Sequence, residues 1–424
     1  MPNRFDLRGP HGEKLTLASE GEVRTLGRRS SCDVVISESS VSRNHASVRY
    51  HQGRVEVRDN GSREGSFING KALGGGQWYP LPPGGVLLLG RYAFLLVKSV
   101  QTSEAVEAAG PSLTWNRLEE LAARPRLEDK ESFLQAMSQA ARSMGSTGGV
   151  LTLPPMPSLI IPDLHGQRDY LLAVLRHRQD GTSLFELMQA GQINVVCLGD
   201  GLHGERRVRE RWLQAEKDLL ERRPSAAMEQ EAVESLGLMK MVLELKCSFP
   251  AHFHYLRGNH DEINNPTRKL FKYTRLGESE LFRHFLQHRF GKDFVDRWAA
   301  LEKSMPLLAR GTGFVASHAA PGGLLSAAEI ETRSAKAFTL LAWTNNYGWP
   351  DEGSQHQTLR KNLEILGYPP SSRWIVGHCK VEGENYRSQL GGQLIQINPR
   401  EPGCYVVALV GDDFRPERDV FRVK

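Results

Sequence analysis

Phe253-His254-Tyr255-Leu256-Arg257-Gly258-Asn259-His260-Asp261 joins a short apolar run to a glycine, then to an amide, an imidazole and a carboxylate. A run of this length closed by glycine reads as a buried strand, and the polar residues behind it are metal-ligand types. Four more runs repeat the arrangement. Leu159–Ile161 leads into Asp163-Leu164-His165-Gly166, Ile193–Leu198 into Gly199-Asp200, Gly313–Ala316 into Ser317-His318, and Trp374–Val376 into Gly377-His378. Long amphipathic stretches such as Ser235–Leu245 and Ser279–Leu301 intervene, so residues 150–424 are expected to form an α/β domain. In such sheets functional groups collect at the carboxyl ends of strands.

The ligand set mixes oxygen and imidazole without thiolate, which suits Mn, Fe or Zn in a reactive site better than a structural zinc or a calcium cage. One carboxylate shared between two ions would close a binuclear site. Two metals about 3.5–4 Å apart acidify a water and grip both oxygens of an in-line displacement at phosphorus. Phosphate ester hydrolysis is the chemistry such a set serves.

Working outward, residues 100–149 shift to Ala, Glu, Ser and Arg, with apolar residues at helical spacing in Leu113–Leu121 and Phe133–Met144. They predict a linker with two short helices. Residues 1–99 alternate β-type runs (Ala46–Tyr50, Arg54–Val57, Val86–Leu89) with Gly, Asn and Ser turns, the pattern of a small sandwich. The charged stretch Glu205–Arg223 reads as a solvated helix with i,i+4 pairs, beside the presumed site.

At 424 residues the chain exceeds one ordinary core. Its 40% hydrophobic and 24% charged residues exclude collagen, coiled coil and wholesale disorder. A formal charge of +5, from 54 basic and 49 acidic residues, demands neither nucleic acid nor an anionic membrane as partner. No signal peptide or membrane-length apolar run is legible, so a cytoplasmic location is expected. The five scattered cysteines form no C-x-x-C pair and read as thiols in a reducing compartment.

From Leu159 to Val410 the chain resembles the phosphoprotein phosphatases, a branch of the calcineurin-like metallophosphoesterases. Their G-D-x-H-G and L-R-G-N-H-E motifs align with Pro162-Asp163-Leu164-His165-Gly166 and Leu256-Arg257-Gly258-Asn259-His260-Asp261. The resemblance implies an α/β/β/α sandwich. It places Asp163, His165 and Asp200 on one metal, and Asp200, Asn259, His318 and His378 on the other. His260 falls at the general acid, an imidazolium that protonates the leaving oxygen. The second motif departs: His203 stands where the family has an aspartate that orients the acid, and Gly204 where it has a phosphate-gripping arginine. A neutral His203 could orient His260 without supplying counter-charge. Arg206, Arg207, Arg257 and Arg360 are the candidate replacements for the missing guanidinium.

In the first domain, Leu26-Gly27-Arg28, Ser40-Val41-Ser42-Arg43-Asn44-His45 and Ser62-Arg63-Glu64-Gly65-Ser66 resemble a forkhead-associated (FHA) domain. That resemblance implies an eleven-stranded sandwich whose loops bind phosphothreonine. Arg28, Ser42 and Arg43 would contact the phosphate, with Arg63 and Glu64 alongside, while Gly27 and His45 hold the loops. Glu64, near a phosphopeptide, needs a basic partner to offset its repulsion.

Together these imply a two-module enzyme: a metal-dependent serine/threonine protein phosphatase, using metal-activated hydroxide and two divalent ions, Mn with Fe or Zn as alternatives, recruited by an FHA module to phosphothreonine proteins such as a kinase or its substrates. Hydrolysis of dinucleoside polyphosphates, or an adaptor role with an inactive phosphatase domain, are the alternatives.

Overall fold

The computed structural model describes residues 4–8, 14–17, 19–68, 71–81, 86–90, 92–99, 113–123, 129–145, 148–264, 273–345, 352–399, 403–411 and 413–423. The chain divides into two units, Met1–Pro111 and Ser112–Lys424.

The first unit holds eleven described strands in two sheets. One runs Lys14–Leu17, Arg4–Arg8, Tyr92–Ser99, Val86–Leu89, Ser66–Ile68, Lys71–Ala72; the other runs Val34–Val35, Val23–Gly27, Ala46–His51, Arg54–Asp59, Trp78–Leu81. Alternation builds the core: Leu87 and Leu89, Val55 and Val57, and Phe5 and Leu7 all turn inward and are buried. Each such side chain contributes roughly 1.5–3 kcal/mol by leaving water. Buried Glu56 is held by Arg49, at 2.7 Å, and Arg54, at 3.1 Å.

In the second unit two sheets stack face to face between layers of helix, because each central strand is apolar on both faces. Leu159 and Ile161 pack on one helical layer while Ile160, between them, faces the other sheet; Val195 and Cys197 flank Val196 in the same way. Across the interface, Ile375 meets the first sheet, and Trp374 and Val376 pack on the second helical layer. This is the period-2 consequence of strands buried on both sides.

Three expectations change. The helices Trp115–Ala123 and Lys130–Gly145 exist, but they belong to the second unit instead of tethering it. Leu118, Phe133, Met137 and Met144 are buried in its main core, and Lys240 Nζ donates to Ser132 Oγ at 2.7 Å. The same apolar stripe that predicts the helices requires a surface to cover it; residues 100–112 lie outside the described ones. Ser279–Leu301 is two helices, Glu278–Phe290 and Lys292–Ser304, separated at Gly291, whose φ of 89° ends one and starts the other. Glu205–Arg223 is a short 3₁₀ turn and the helix Arg209–Leu220, which buries Trp212 and Ala215 and so is not simply solvated. Its Arg211 reaches Glu231 and Glu234 on the helix Ala226–Ser248, each at 2.8 Å.

Candidate functional site

Ser158–Ile161, Asn194–Cys197 and Phe253–Tyr255 are parallel neighbours in one sheet, and Phe314–Ser317, Arg373–Val376 and Leu394–Gln396 are parallel neighbours in the other. Parallel strands bring their carboxyl ends to one edge. Asp163, His165, Asp200, Asn259, His260 and His318 all lie there, no more than 8% exposed, with His378 half-buried. The sixth strand adds Asn398, which the sequence reading missed although Leu394-Ile395-Gln396-Ile397-Asn398 repeats the run-plus-ligand signal.

The backbone is bent to make this convergence. His165, Asp200, His203, Glu205 and His378 all have positive φ, between 42° and 74°, a conformation unfavourable for side chains bearing a Cβ and concentrated at functional sites. At Gly258 a Cβ would be driven into Asp200 Oδ1, and at Gly377 into Asp163 Oδ1.

Two groups of donor atoms form, Asp163/His165/Asp200 and Asp200/His318/His378, with the donor atoms of each within 4.8 Å of one another and Asp200 common to both. His165 Nδ1 faces the His203 carbonyl at 3.0 Å and His318 Nδ1 faces the Leu198 carbonyl at 3.0 Å. A carbonyl only accepts, so Nδ1 carries the proton in each ring and Nε2 presents a lone pair, the arrangement that orients metal-ligating histidines. His165 Nε2 is buried without a hydrogen bond, 3.6 Å from Asp163 Oδ2 and 4.0 Å from Asp200 Oδ2. His318 Nε2 looks at Asn259 Oδ1 at 2.8 Å and His378 Nδ1 at 3.2 Å. Lone pairs gathered around common points fit divalent cations.

Backbone and amide groups fix the carboxylates. His260 N–H donates to Asp200 Oδ1 at 2.8 Å, His378 N–H to Asp163 Oδ1 at 2.9 Å, and Asn398 Nδ2 to Asp163 Oδ2 at 2.7 Å. Asp261, whose role the sequence did not disclose, accepts from the backbones of Asp200 and Gly258 at 3.0 and 2.8 Å and from Tyr255 at 3.1 Å, so it ties the second and third loops together.

Burial works against ionising Asp163, but the neighbouring His318 and His165 rings overcome it and hold that carboxyl well below its ordinary value. Asp200 goes the other way: burial and the charges of Asp163 and Asp261 push it up. Two carboxylates crowded in low dielectric resist sharing negative charge until a cation joins them. Burial pushes His318 down, and burial beside the His318 ring takes His378 to about 3, so both rings favour the neutral form that can ligate.

The departing second motif is structurally firm. His203 stacks on Trp212 at 4.5 Å, lies 5.2 Å from the His260 ring, and its backbone N–H donates to Ser235 Oγ at 3.0 Å. Gly204 N–H donates to the buried Glu231 at 2.9 Å. Burial, then the neighbouring His203 and His165, push His260 well below its ordinary value, so the imidazolium expected of a resting acid is not what this environment favours.

Three of the four candidate arginines are engaged in other contacts. Arg257 donates to the Asp261 carbonyl at 3.0 Å and lies 3.8 Å over the Phe338 ring. Arg207 pairs with Glu234 at 2.9 Å and donates to the His165 carbonyl at 3.3 Å. Arg360 donates to Gln393 at 3.2 Å; the Arg206 side chain lies outside the described ones. Two groups that no motif flagged stand at the cluster instead: Glu205 Oε1, 3.3 Å from His165 Nε2, and Lys380 Nζ, 2.8 Å from Glu205 Oε2.

In the first unit, loops between strands bring Arg28, Ser42, Arg43, Arg63 and Glu64 together. The arginines and Glu64 are exposed and Ser42 is half-buried. Fully buried His45 accepts from Ser42 N–H through Nδ1 at 2.9 Å and meets the Gly65 carbonyl through Nε2 at 3.1 Å, tying two loops. Arg63 N–H donates to Ser42 Oγ at 3.0 Å, which leaves the hydroxyl proton to donate outward. Arg28 Nε donates to the Val41 carbonyl at 3.3 Å, and a Cβ on Gly27 would strike the Arg43 carbonyl. Glu64 pairs with Arg63 at 2.9 Å, so its repulsion is offset.

A sandwich of two sheets between helices, with acidic and imidazole ligands at the edge of parallel strands and one carboxylate common to two groups, defines a metal-dependent phosphoester hydrolase. The chain belongs to the calcineurin-like phosphoesterase family, whose model matches residues 156–380, and it carries an FHA domain, matched at 24–90. Oxoglutarate dehydrogenase inhibitors of Corynebacterium efficiens and Corynebacterium glutamicum are each 36% identical to it over 62 residues, 15% of this chain and 43% of theirs. The chain thus spans less than half the length of these relatives. Among solved structures, the FHA domain of a Chlamydia trachomatis protein is 28% identical, covering 23% of this chain and 99% of its own, with a TM-score of 0.21. A protein serine/threonine phosphatase from Saccharomyces cerevisiae is 13% identical, covering 73% and 95%, with a TM-score of 0.47. Among the described residues no helix is long and apolar enough to cross a membrane, and none of the five cysteines is in a disulfide.

Proposed function

We propose that the chain is a serine/threonine phosphoprotein phosphatase whose FHA unit binds phosphothreonine proteins and raises the concentration of substrate at the hydrolytic unit. The observation that carries this reading is Asp200, buried and shared between the Asp163/His165 and His318/His378 groups. Asp163, His165 and Asp200 would hold one divalent cation, and Asp200, Asn259, His318 and His378 the other. Bound there, the two cations supply positive charge to the phosphoryl oxygens and acidify a water.

The protein's own groups do the rest. The His260 backbone holds Asp200 in register, and its ring, with Nε2 3.8 Å from Asp200 Oδ2, delivers the proton to the departing side-chain oxygen. An arriving phosphate dianion favours the imidazolium that burial and the neighbouring imidazoles disfavour. His203, packed on Trp212, fixes the position of that ring without a counter-charge, and Arg257 positions the third loop. In the FHA unit Arg28, Ser42 and Arg43 bind the phosphothreonine, while Arg63 holds Glu64 aside. Manganese is the proposed metal, because the oxygen and imidazole set suits it.

The test is Mn²⁺-dependent phosphate release from a phosphothreonine peptide by metal-stripped, reconstituted full-length protein, with Asp200→Asn alongside. Release lost in the variant supports the reading. Metal uptake with turnover of a dinucleoside polyphosphate but not of the peptide would replace it with nucleotide hydrolysis, and uptake without any turnover with an adaptor.

A further inference from the structure

The second motif puts Gly204 where a phosphate-gripping arginine would stand, and Arg207, Arg257 and Arg360 are engaged in other contacts. Lys380, two residues beyond His378, is placed differently. Its Nζ lies 2.8 Å from Glu205 Oε2 and donates to Asn398 Oδ1 at 3.2 Å. The other Glu205 oxygen is 3.3 Å from His165 Nε2, and Asn398 holds Asp163 at 2.7 Å. The amino group is therefore one contact removed from two ligands, His165 and Asp163, in the loop that follows Ser158–Ile161. The side chains of Lys380 and Glu205 are 28% and 26% exposed, which puts the pair, with half-buried His378, at the open edge of a cluster whose other members are buried.

A buried or half-buried ion pair contributes little net stability, because desolvation offsets the attraction. Glu205 also holds a φ of 50°, and such strain persists at functional sites. What the pair does provide is an anion already seated between a cation and the metal-facing nitrogen of His165. A phosphoryl group needs that same position.

We propose that Lys380 is the cation that binds the substrate's phosphoryl oxygens in this chain, and that Glu205 is an internal anion occupying that position until phosphate replaces it. The proposal rests on the phosphoester-hydrolase reading above. An ammonium offers three donors and a point charge, so Lys380 keeps Asn398 while exchanging a carboxylate oxygen for a phosphate oxygen. No covalent step is involved.

The experiment titrates inorganic phosphate calorimetrically into the Mn-loaded full chain, after the Mn stoichiometry of each protein has been measured. Lys380→Ala should bind phosphate about 10- to 100-fold more weakly, the range of one charge-assisted hydrogen bond, with Mn stoichiometry unchanged and KM for an aryl phosphate raised. Lys380→Gln, which retains a donor to Asn398 without charge, should behave likewise and guards against a folding defect. Glu205→Gln should bind phosphate more tightly than wild type. Wild-type phosphate affinity in both Lys380 variants would overturn the proposal, as would a change confined to Mn affinity, which would make Lys380 a mere balance for the carboxylates. A wild type that takes up no Mn overturns the underlying hydrolase reading instead, and does so before any phosphate is added.

Discussion

The loop cluster of the FHA unit and the strand-end cluster of the hydrolase unit are both proposed to meet phosphate, and they are built in opposite ways. In the first, the charged groups are exposed and a buried histidine, His45, only braces the loops. In the second, the charged groups themselves are buried, and main-chain N–H groups pin them. The contrast teaches what each task requires. Holding a phosphate needs cations and a hydroxyl that converge in water, where geometry can be set by a few loop hydrogen bonds. Breaking a phosphate ester needs charge fixed in low dielectric before the substrate arrives, because only there is it worth several kcal/mol to the transition state. The cost appears as five residues with positive φ and an Asp200 that resists ionisation.

The contrast breaks most readily at Asp200. Asp200→Asn removes charge from both ligand groups, so metal stoichiometry measured by mass spectrometry should drop and aryl phosphate hydrolysis should fall by ~10³-fold or more, with phosphothreonine-peptide binding unchanged. If hydrolysis survives, the strand-end cluster is not the reacting site. Arg28→Ala tests the other side: peptide affinity by fluorescence anisotropy should weaken by ~10- to 100-fold, while turnover of a small aryl phosphate stays at the wild-type rate.

Gly258→Ala sharpens the comparison by asking how tightly the buried cluster is built. Its Cβ would collide with Asp200 Oδ1 and the Asp200 backbone, so chemical denaturation should show a loss of ~1–3 kcal/mol. A substitution at the open turn Gly61, where a Cβ meets nothing, strains only a φ of 80° and should cost less. The smallest expected effect is His203→Asp. Burial and neighbouring imidazoles hold His260 below its ordinary value, and a carboxylate opposite it favours the protonated ring. A reaction that needs that proton should then persist to higher pH, moving the alkaline limb of the pH–rate profile upward. An unmoved limb would separate His203 from the acid.

Much of both sites was legible because ligand residues sit directly behind apolar runs, and a run's length and its closing glycine are local properties. The runs pointed to the place of the hydrolase site, while the six metal-site residues and the FHA loop residues were implied by the family resemblances, and the structure brings each set together. Lys380, Glu205 and Asn398 escaped because their importance is non-local. Lys380 is an ordinary lysine in a charged loop until Glu205, 175 positions earlier in the chain, is folded against it. Arg257 erred in the other direction: its place inside a motif suggested chemistry, but its fork closes on its own loop and on Phe338. The helices before residue 149 were found by period, and their destination was not, since an apolar stripe states that it must be covered without stating by what.

By itself the sequence determined the elements, their order and the chemistry of the ligands, because alternation, helical period and residue type are written along the chain. The tertiary structure alone decided which tautomers the histidines hold, which cation stands at the open edge, and which side chains are merely bracing. Those are properties of distance and burial between strands far apart in sequence, and charge interactions acquire their strength only when folding removes the water between them.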